Sequence, residues 1–250
     1  MRYWITPEGQ YSPLYYDMAK QPHLLIAGAT GSGKSVVING ILHALLMLHT
    51  PATCQLILID PKRVELVQYK PLPHTIAYAS EPGEPAKALK QALSITDDRY
   101  RYMQTAGLRK HDGGDVYVII DELADLMTTD RKTIQPLLQR LCQIGRAAKV
   151  HVIAATQCPL ATVIPTAIKC NFDSRVGLRT RSAQDSRNIL GTTGCENLPR
   201  YGQGYYMTPE GTDRHKLLMI PDDWIGRLVS YWTDSTQCTT DNPGDISRIA

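Results

Sequence analysis

Residues 23–48 read HLLIAGATGSGKSVVINGILHALLML, and the succession of residue types in this stretch decides the fold. His23 to Ala27 is an apolar run that stops where glycine takes over, the pattern of a buried strand. Val36, Val37, Ile38, Ile41, Leu42, Leu45 and Leu46 then recur with helical spacing, and Pro51 marks the stop. Between strand and helix, Gly28, Gly33, Lys34 and Ser35 satisfy G-x-x-x-x-G-K-[ST], with the small residues Ala29, Thr30, Gly31 and Ser32 filling the interval. Glycine reaches backbone conformations closed to residues with a Cβ, so successive N–H groups from Gly28 to Val36 can converge on one anion. The helix that follows points its positive dipole end at the same place. Strand, glycine-rich turn and helix in that order form a phosphate-binding unit, in which Lys34 is expected to bridge the β- and γ-phosphates of ATP and Ser35 to ligate Mg²⁺.

A second apolar run, VYVIID at 116–121, delivers Asp121 and then Glu122 at its end. Beside a P-loop this is Walker B chemistry: Asp121 is expected to hold Mg²⁺ through water, and Glu122 to orient and deprotonate the attacking water. A third run, VHVIAAT at 150–156, ends in Thr156 and Gln157 and is expected beside the P-loop strand. There Gln157 either senses the γ-phosphate or holds the lytic water, or the pair merely caps the strand end. QLILID at 55–60 ends in a carboxylate followed by Pro61, Lys62, Arg63 and Glu65, which reads as the ligand edge of an open sheet or as a solvated loop.

Weaker signals fill in the rest. Strands are expected near 75–80, 174–178 and 204–207, and helices over 86–105, 134–148, 184–190 and 221–232, with Asp125 a solvated helix residue. The predicted class is α/β, a mostly parallel sheet flanked by helices, occupying 23–232. Residues 1–22, rich in Tyr and Pro, read as short strands or an arm, and 233–250 as a polar tail. At 250 residues and net charge +3, the chain can bury one large core, and its charge neither requires nor excludes nucleic acid. Cys54, Cys142, Cys158, Cys170, Cys195 and Cys238 include no C-x-x-C pair and read as reduced thiols of a cytoplasmic protein. Neither a signal peptide nor a membrane-spanning helix is expected.

The P-loop context, DPKRVEL at 60–66, IIDELADLM at 119–127, IGRAAKVHVIAATQ at 144–157 and DSRNIL at 185–190 together resemble the motor domain of the FtsK/SpoIIIE DNA translocases over roughly 20–225. The resemblance implies a RecA-like P-loop NTPase of the additional-strand, catalytic-glutamate type, with ATP and Mg²⁺ as cofactors. It also implies a ring, as a hexamer, around double-stranded DNA that couples hydrolysis to moving or transferring DNA in conjugation, plasmid segregation or chromosome segregation. Carried over by residue, it makes Gln157 the sensor and Arg146, in RAAKVH, the arginine finger that reaches a neighbouring subunit. Arg146 also reads as a cation at a helix C-terminus, and Arg175 and Arg187 are reserve fingers. Lys169 matches a lysine with a DNA-backbone role, and Arg179 and Arg181 are close enough in sequence to help.

Two departures bear on DNA: Cys158 stands where the family has a basic residue, and Ala183 where it has lysine. The loop HDGGD at 111–115 is short, and neither a membrane anchor nor an orientation-reading winged helix is expected, so a minimal motor of the mobile-element kind is implied. Its place would be the cytoplasm, with recruitment to the membrane's inner face by a partner. Rival readings are a secretion-type motor threading protein substrates and an ATP-gated adaptor that docks a relaxase or membrane partner.

Overall fold

The computed structural model describes residues 2–5, 12–217 and 219–234, so all but the first two residues of the expected tail lie outside the described residues. Arg2–Ile5 (β1) and Ser12–Tyr15 (β2) pair antiparallel in a two-stranded sheet of their own. Tyr16, just after them, is buried and meets Tyr206 edge to face at 5.8 Å.

The P-loop strand His23–Ala27 (β3) lies inside an eight-stranded sheet among the described residues. On one side it pairs in parallel with Val150–Thr156 (β7), which in turn pairs with Asp115–Ile120 (β6). Beyond β6 lie Cys54–Ile59 (β4) and the edge strand Thr75–Ala79 (β5), also parallel. On its other side β3 pairs in parallel with Ser174–Gly177 (β8). Gln203–Thr208 (β9) and Gly211–Lys216 (β10) then continue the sheet antiparallel. The strand order is therefore β10-β9-β8-β3-β7-β6-β4-β5, with β7 inserted between the P-loop strand and the Walker B strand. That insertion is the additional strand expected from the resemblance.

Helices cover both faces, which is why the central strands read as continuous apolar runs and show no alternation with polar residues. Lys34–Leu48 (α1) lays Val37, Ile38, Ile41, Leu42 and Leu46 against Leu24, Ile26, Leu56, Leu58, Ile119 and Ile153 on one face. Asp222–Asp234 (α7) closes that side through Ile225, Leu228 and Trp232, whose indole N–H donates to the Leu46 carbonyl at 3.1 Å. On the other face Glu84–Ala106 (α2), Leu123–Thr129 (α3) and Arg131–Ile144 (α4) pack on Leu25, Ile57, Val118, Ile120, Val152 and Ala154. Each fully buried side chain of this size contributes about 1.5–3 kcal/mol of transfer free energy, so the sheet is a rigid platform for whatever its loops carry.

Two boundaries differ from the sequence reading for local reasons. The helix expected over 134–148 starts earlier because Asp130 caps it, accepting from the Thr133 N–H at 3.3 Å. Past Ile144 the chain turns off the helix, the Val150 N–H donating to the Gly145 carbonyl at 3.0 Å and the Lys149 N–H to the Arg146 carbonyl at 3.3 Å, with Lys149 in the left-handed region at φ +54°. Strand β10 gave no signal, since only His215 in it is buried.

Two buried histidines make stability depend on pH. His23 Nε2 donates to the Cys142 carbonyl at 2.9 Å while its Nδ1 accepts from the Val152 N–H at 3.1 Å, an arrangement that uses the neutral ring completely. Burial, helped by His151 nearby, pushes His23 down to about 4, and burial pushes His215 down to about 4 as well. Between pH 6.5 and 4 the unfolded chain takes up these protons and the folded chain does not, so stability falls as pH falls through that window and the loss levels off below it. The slope is at most about 1.4 kcal/mol per pH unit for each ring. Denaturant midpoints at pH 7, 5.5 and 4.5 should drop accordingly, and His23→Gln should flatten the curve. A midpoint constant from pH 6.5 to 4.5 would remove this coupling.

Candidate active site

All the parallel strands end at one edge of the sheet, where crevices between strand ends and helix N-termini collect ligands in α/β proteins. The P-loop occupies that edge. Gly31 and Gly33 have φ of +74° and +100°, the left-handed region that favours glycine. Gly28 is required by crowding, because a Cβ on it would stand 2.6 Å from the Leu178 Cβ and the Ser32 Oγ. The loop is tied to the strands beside it, Gly28 N–H donating to Thr156 O at 3.2 Å and Ala29 N–H to Arg179 O at 2.8 Å. Gly33 caps α1 without any side-chain hydrogen bond, and the first turn contains no acidic residue. The N–H groups of the opening turn and the dipole end are thus left for an external anion. Ser32 Oγ is a buried polar atom with no hydrogen-bond partner, inside the same loop. Together these features fit a polyphosphate.

Lys34 is nearly buried at 6% exposure and donates through Nζ to the Asp121 carbonyl and, at 2.8 Å, to Asp121 Oδ1. Asp121 closes the β6 turn and Glu122 is the extended N-cap of α3, so both carboxylates are placed by the strand-to-helix junction. The Glu122 carboxylate accepts the Gln157 backbone N–H at 3.0 and 3.3 Å. Lys62 lies 3.4 Å from it and Lys34 3.9 Å. The Gln157 side-chain oxygen in turn accepts from Thr30 Oγ1 at 2.8 Å, which joins Gln157 to the P-loop. Lys34, Asp121, Glu122, Gln157 and Thr30 therefore form one connected set at the carboxyl ends of β3, β7 and β6. Ser35 stands half-buried in the first turn of α1.

The charged segment after β4 belongs to the ligand edge. Lys62 bridges Glu122 and Asp125, at 3.4 and 3.5 Å. Burial opposes its charge, but these two carboxylates more than offset that and hold the ammonium above its ordinary pKa. Lys62 was visible in the sequence only as part of a charged cluster, because its partner lies sixty residues further along the chain.

The remaining nominated residues are distributed differently. Arg146 is exposed in the turn between α4 and β7, at the amino edge of the sheet and away from its own P-loop. Lys169 ends the short helix Thr166–Lys169 (α5) at the amino end of β8, half-buried, with its ammonium donating to the Asn188 carbonyl at 3.2 Å. Burial first, and Arg175 second, hold that ammonium below its ordinary pKa. Arg179 and Arg181 are exposed after the carboxyl end of β8, so Lys169 and these arginines lie at opposite ends of one strand. Arg175 donates to the carbonyls of Phe172, Ile189 and Lys169, a structural set of contacts. Arg181 instead lines a cleft of about 130 Å³ with Gln157, Cys158, Leu160 and Asp185. Arg187 is exposed in Ala183–Leu190 (α6). Sequence reading passed over Arg200 and Tyr201, which lie against Gly31.

The chain is similar to several known proteins. DNA translocase FtsK of Brucella melitensis biotype 1 is 37% identical over 88% of this chain and 32% of its own length. DNA translocase FtsK of Rickettsia prowazekii is 39% identical over 78% of this chain and 32% of its own length. The chain thus spans about a third of the length of these curated relatives. Among solved structures, the pCW3 conjugation coupling protein TcpA, in monomer form with ATPγS, aligns with a TM-score of 0.78 at 24% identity, covering 92% of this chain and 70% of that one. The cytoplasmic domain of the type VII secretion ATPase EccC from Thermomonospora curvata aligns with a TM-score of 0.79 at 22% identity, covering 96% of this chain and 32% of that one. At those identities the two structures establish the fold, that of a P-loop ATPase. The FtsK/SpoIIIE family model matches residues 4–117 and 113–161, from the N-terminal strands through the P-loop and the strand carrying Asp121 to Gln157, and on this match and the relatives' identity the chain belongs to the FtsK/SpoIIIE family.

Proposed function

We propose that this chain is the motor unit of an ATP-driven translocase of double-stranded DNA, working as a homo-oligomeric ring, as a hexamer. The observation that carries the reading is the connected set Lys34–Asp121–Glu122–Gln157–Thr30, built across three strands in a member of a family whose curated relatives here are DNA translocases. Lys34 and the N–H groups through Val36 bind the phosphates. Glu122 takes the proton of the attacking water, and Gln157, tied to both Glu122 and the P-loop, positions that water against the γ-phosphate.

The hard oxygens of Ser35 and Asp121 fit Mg²⁺, which would neutralise developing phosphate charge when bound. Among the described residues no group of three or more His, Cys, Asp or Glu is placed to hold a metal ion by itself. That suits an ion that arrives with the nucleotide and keeps few protein ligands. No helix among the described residues is long and apolar enough to cross a membrane, and we place the motor in the cytoplasm, where a membrane-bound partner or a relaxase could recruit it.

DNA contact is assigned first to Arg179 and Arg181, which are exposed at the nucleotide edge. Lys169 contributes only if it leaves the Asn188 carbonyl. Turnover measured with and without duplex DNA tests the reading: DNA should stimulate it, alike for all sequences, with a steep loss as salt rises. Arg179→Ala and Arg181→Ala should each reduce the log–log salt slope by about one, and Lys169→Ala by less. The fold likeness to a secretion ATPase keeps one rival, a motor threading protein substrates. A rate on assembled rings indifferent to duplex DNA at low salt would favour that rival.

A further inference from the structure

The loop ahead of β9 is carried to the nucleotide edge by topology. Because β9 runs antiparallel to β8, its amino end lies beside the carboxyl ends of β8 and β3, where the P-loop begins. Two residues of that loop lean on the P-loop glycine. The Arg200 guanidinium nitrogens stand 3.7 and 3.8 Å from where a Cβ on Gly31 would be, and Tyr201 Cε1 stands 3.9 Å from it. The guanidinium carbon sits 5.3 Å from the Tyr201 ring centroid. Among the described residues Arg200 has no carboxylate partner, and Tyr201 is 62% exposed, a large aromatic left open beside an anion cradle.

The sheet order fixes which part of a nucleotide would meet them. Glu122 and Gln157 lie on the β7 and β6 side of the P-loop and mark the end where the γ-phosphate reacts. The nucleoside must extend the other way, toward β8 and β9, and that is where Arg200 and Tyr201 stand.

We propose that Arg200 and Tyr201 form the outer wall of the nucleotide site, the Tyr201 ring packing on the face of the purine and the Arg200 guanidinium on the phosphates next to the ribose. The proposal rests on the reading of the P-loop as an ATP site and adds the residues that hold the base. A ring face accepts any base, so the wall contributes affinity while leaving the choice of purine open. The Arg200 guanidinium, stacked near Tyr201, is a planar donor fork suited to a phosphate oxygen pair.

The test compares two probes on the full chain, Mg-ATPγS, which has a base, and inorganic tripolyphosphate, which has none. Binding is measured by calorimetry for wild type, Tyr201→Ala, Tyr201→Phe and Arg200→Ala. Tyr201→Ala is expected to weaken ATPγS about tenfold or more, the scale of one base–aromatic stack, and to leave tripolyphosphate unchanged. Tyr201→Phe should retain wild-type affinity for both, because the ring does the packing, and Arg200→Ala should weaken both. Wild-type affinity of Tyr201→Ala for ATPγS overturns the wall while leaving the ATP site standing. An equal loss for both probes in Tyr201→Ala also overturns it, since the loop would then be shaping the phosphate cradle. A wild-type chain that binds neither probe overturns the ATP site and the wall with it.

Discussion

Glu122→Gln is expected to bind Mg-ATPγS nearly as wild type does and to lose about a hundredfold or more in turnover. The side chain is 2% exposed at the N-cap of α3, with its carboxylate accepting the Gln157 N–H and facing Lys62 and Lys34. The amide has the same shape and can still accept from Gln157, so the sensor should stay in place. It cannot take a proton from water, and its NH₂ group turns two donors toward two ammonium groups. The loss should therefore appear in the chemical step with little change in affinity. Single-turnover hydrolysis beside equilibrium binding separates the two, and a Glu122→Gln chain that hydrolyses at the wild-type rate would take Glu122 out of the chemistry.

Lys34 should not be used as the simple converse. Its ammonium satisfies a buried carboxylate, Asp121, whose side chain is 2% exposed. Removing it leaves that charge uncompensated, which in buried pairs costs about 3–5 kcal/mol of stability. A Lys34 truncation would mix lost phosphate binding with a weakened fold. On the proposed ATP reading, the Lys34 ammonium would exchange its contact with Asp121 for the phosphate oxygens, and the Asp121 carboxylate would then be available to a divalent ion.

The parts legible in the sequence were those set by local pattern. The strands β3, β6 and β7 are buried on both faces, so apolar runs announce them, and each runs into a residue of the candidate site: the P-loop glycine, Asp121 and Glu122, or Gln157. What escaped was set by pairing between distant segments. Lys62 finds Glu122, and Arg200 and Tyr201 find Gly31, only because β4 lies beside β6 and β9 reverses direction beside β8. Lys169 matched a lysine with a DNA-backbone role, yet it is half-buried and its ammonium meets the Asn188 carbonyl, which no pattern of charges could reveal. β10 escaped for a different reason: an edge strand with one buried residue has too little apolar content to announce itself.

Arg146→Ala is expected to lower ring turnover about a thousandfold, the scale of an arginine finger supplied by a neighbour. Arg146 stands at the amino edge of the sheet, while the P-loop and Glu122 stand at the carboxyl edge, so it cannot reach its own nucleotide site. A ring built from one repeated chain joins two different patches of its surface. The edge bearing the nucleotide can therefore face the edge bearing Arg146 of the next copy. If Arg146 acts that way, its loss and the loss of Glu122 are complementary. Rings mixed from Arg146→Ala and Glu122→Gln subunits contain interfaces in which the site of the first meets the finger of the second. With random assembly at equal amounts, about a quarter of the interfaces are of this kind. Turnover should rise above that of either parent ring, with a maximum at intermediate mixing. An Arg146 that only complements the dipole at the end of α4 predicts something else: a modest loss in Arg146→Ala rings and no excess in the mixture over the sum of its parts. The absence of any excess at every ratio, in rings shown to contain both subunits, would end the case for Arg146 and pass the role to Arg187, the other candidate whose guanidinium is exposed and not spent on backbone carbonyls.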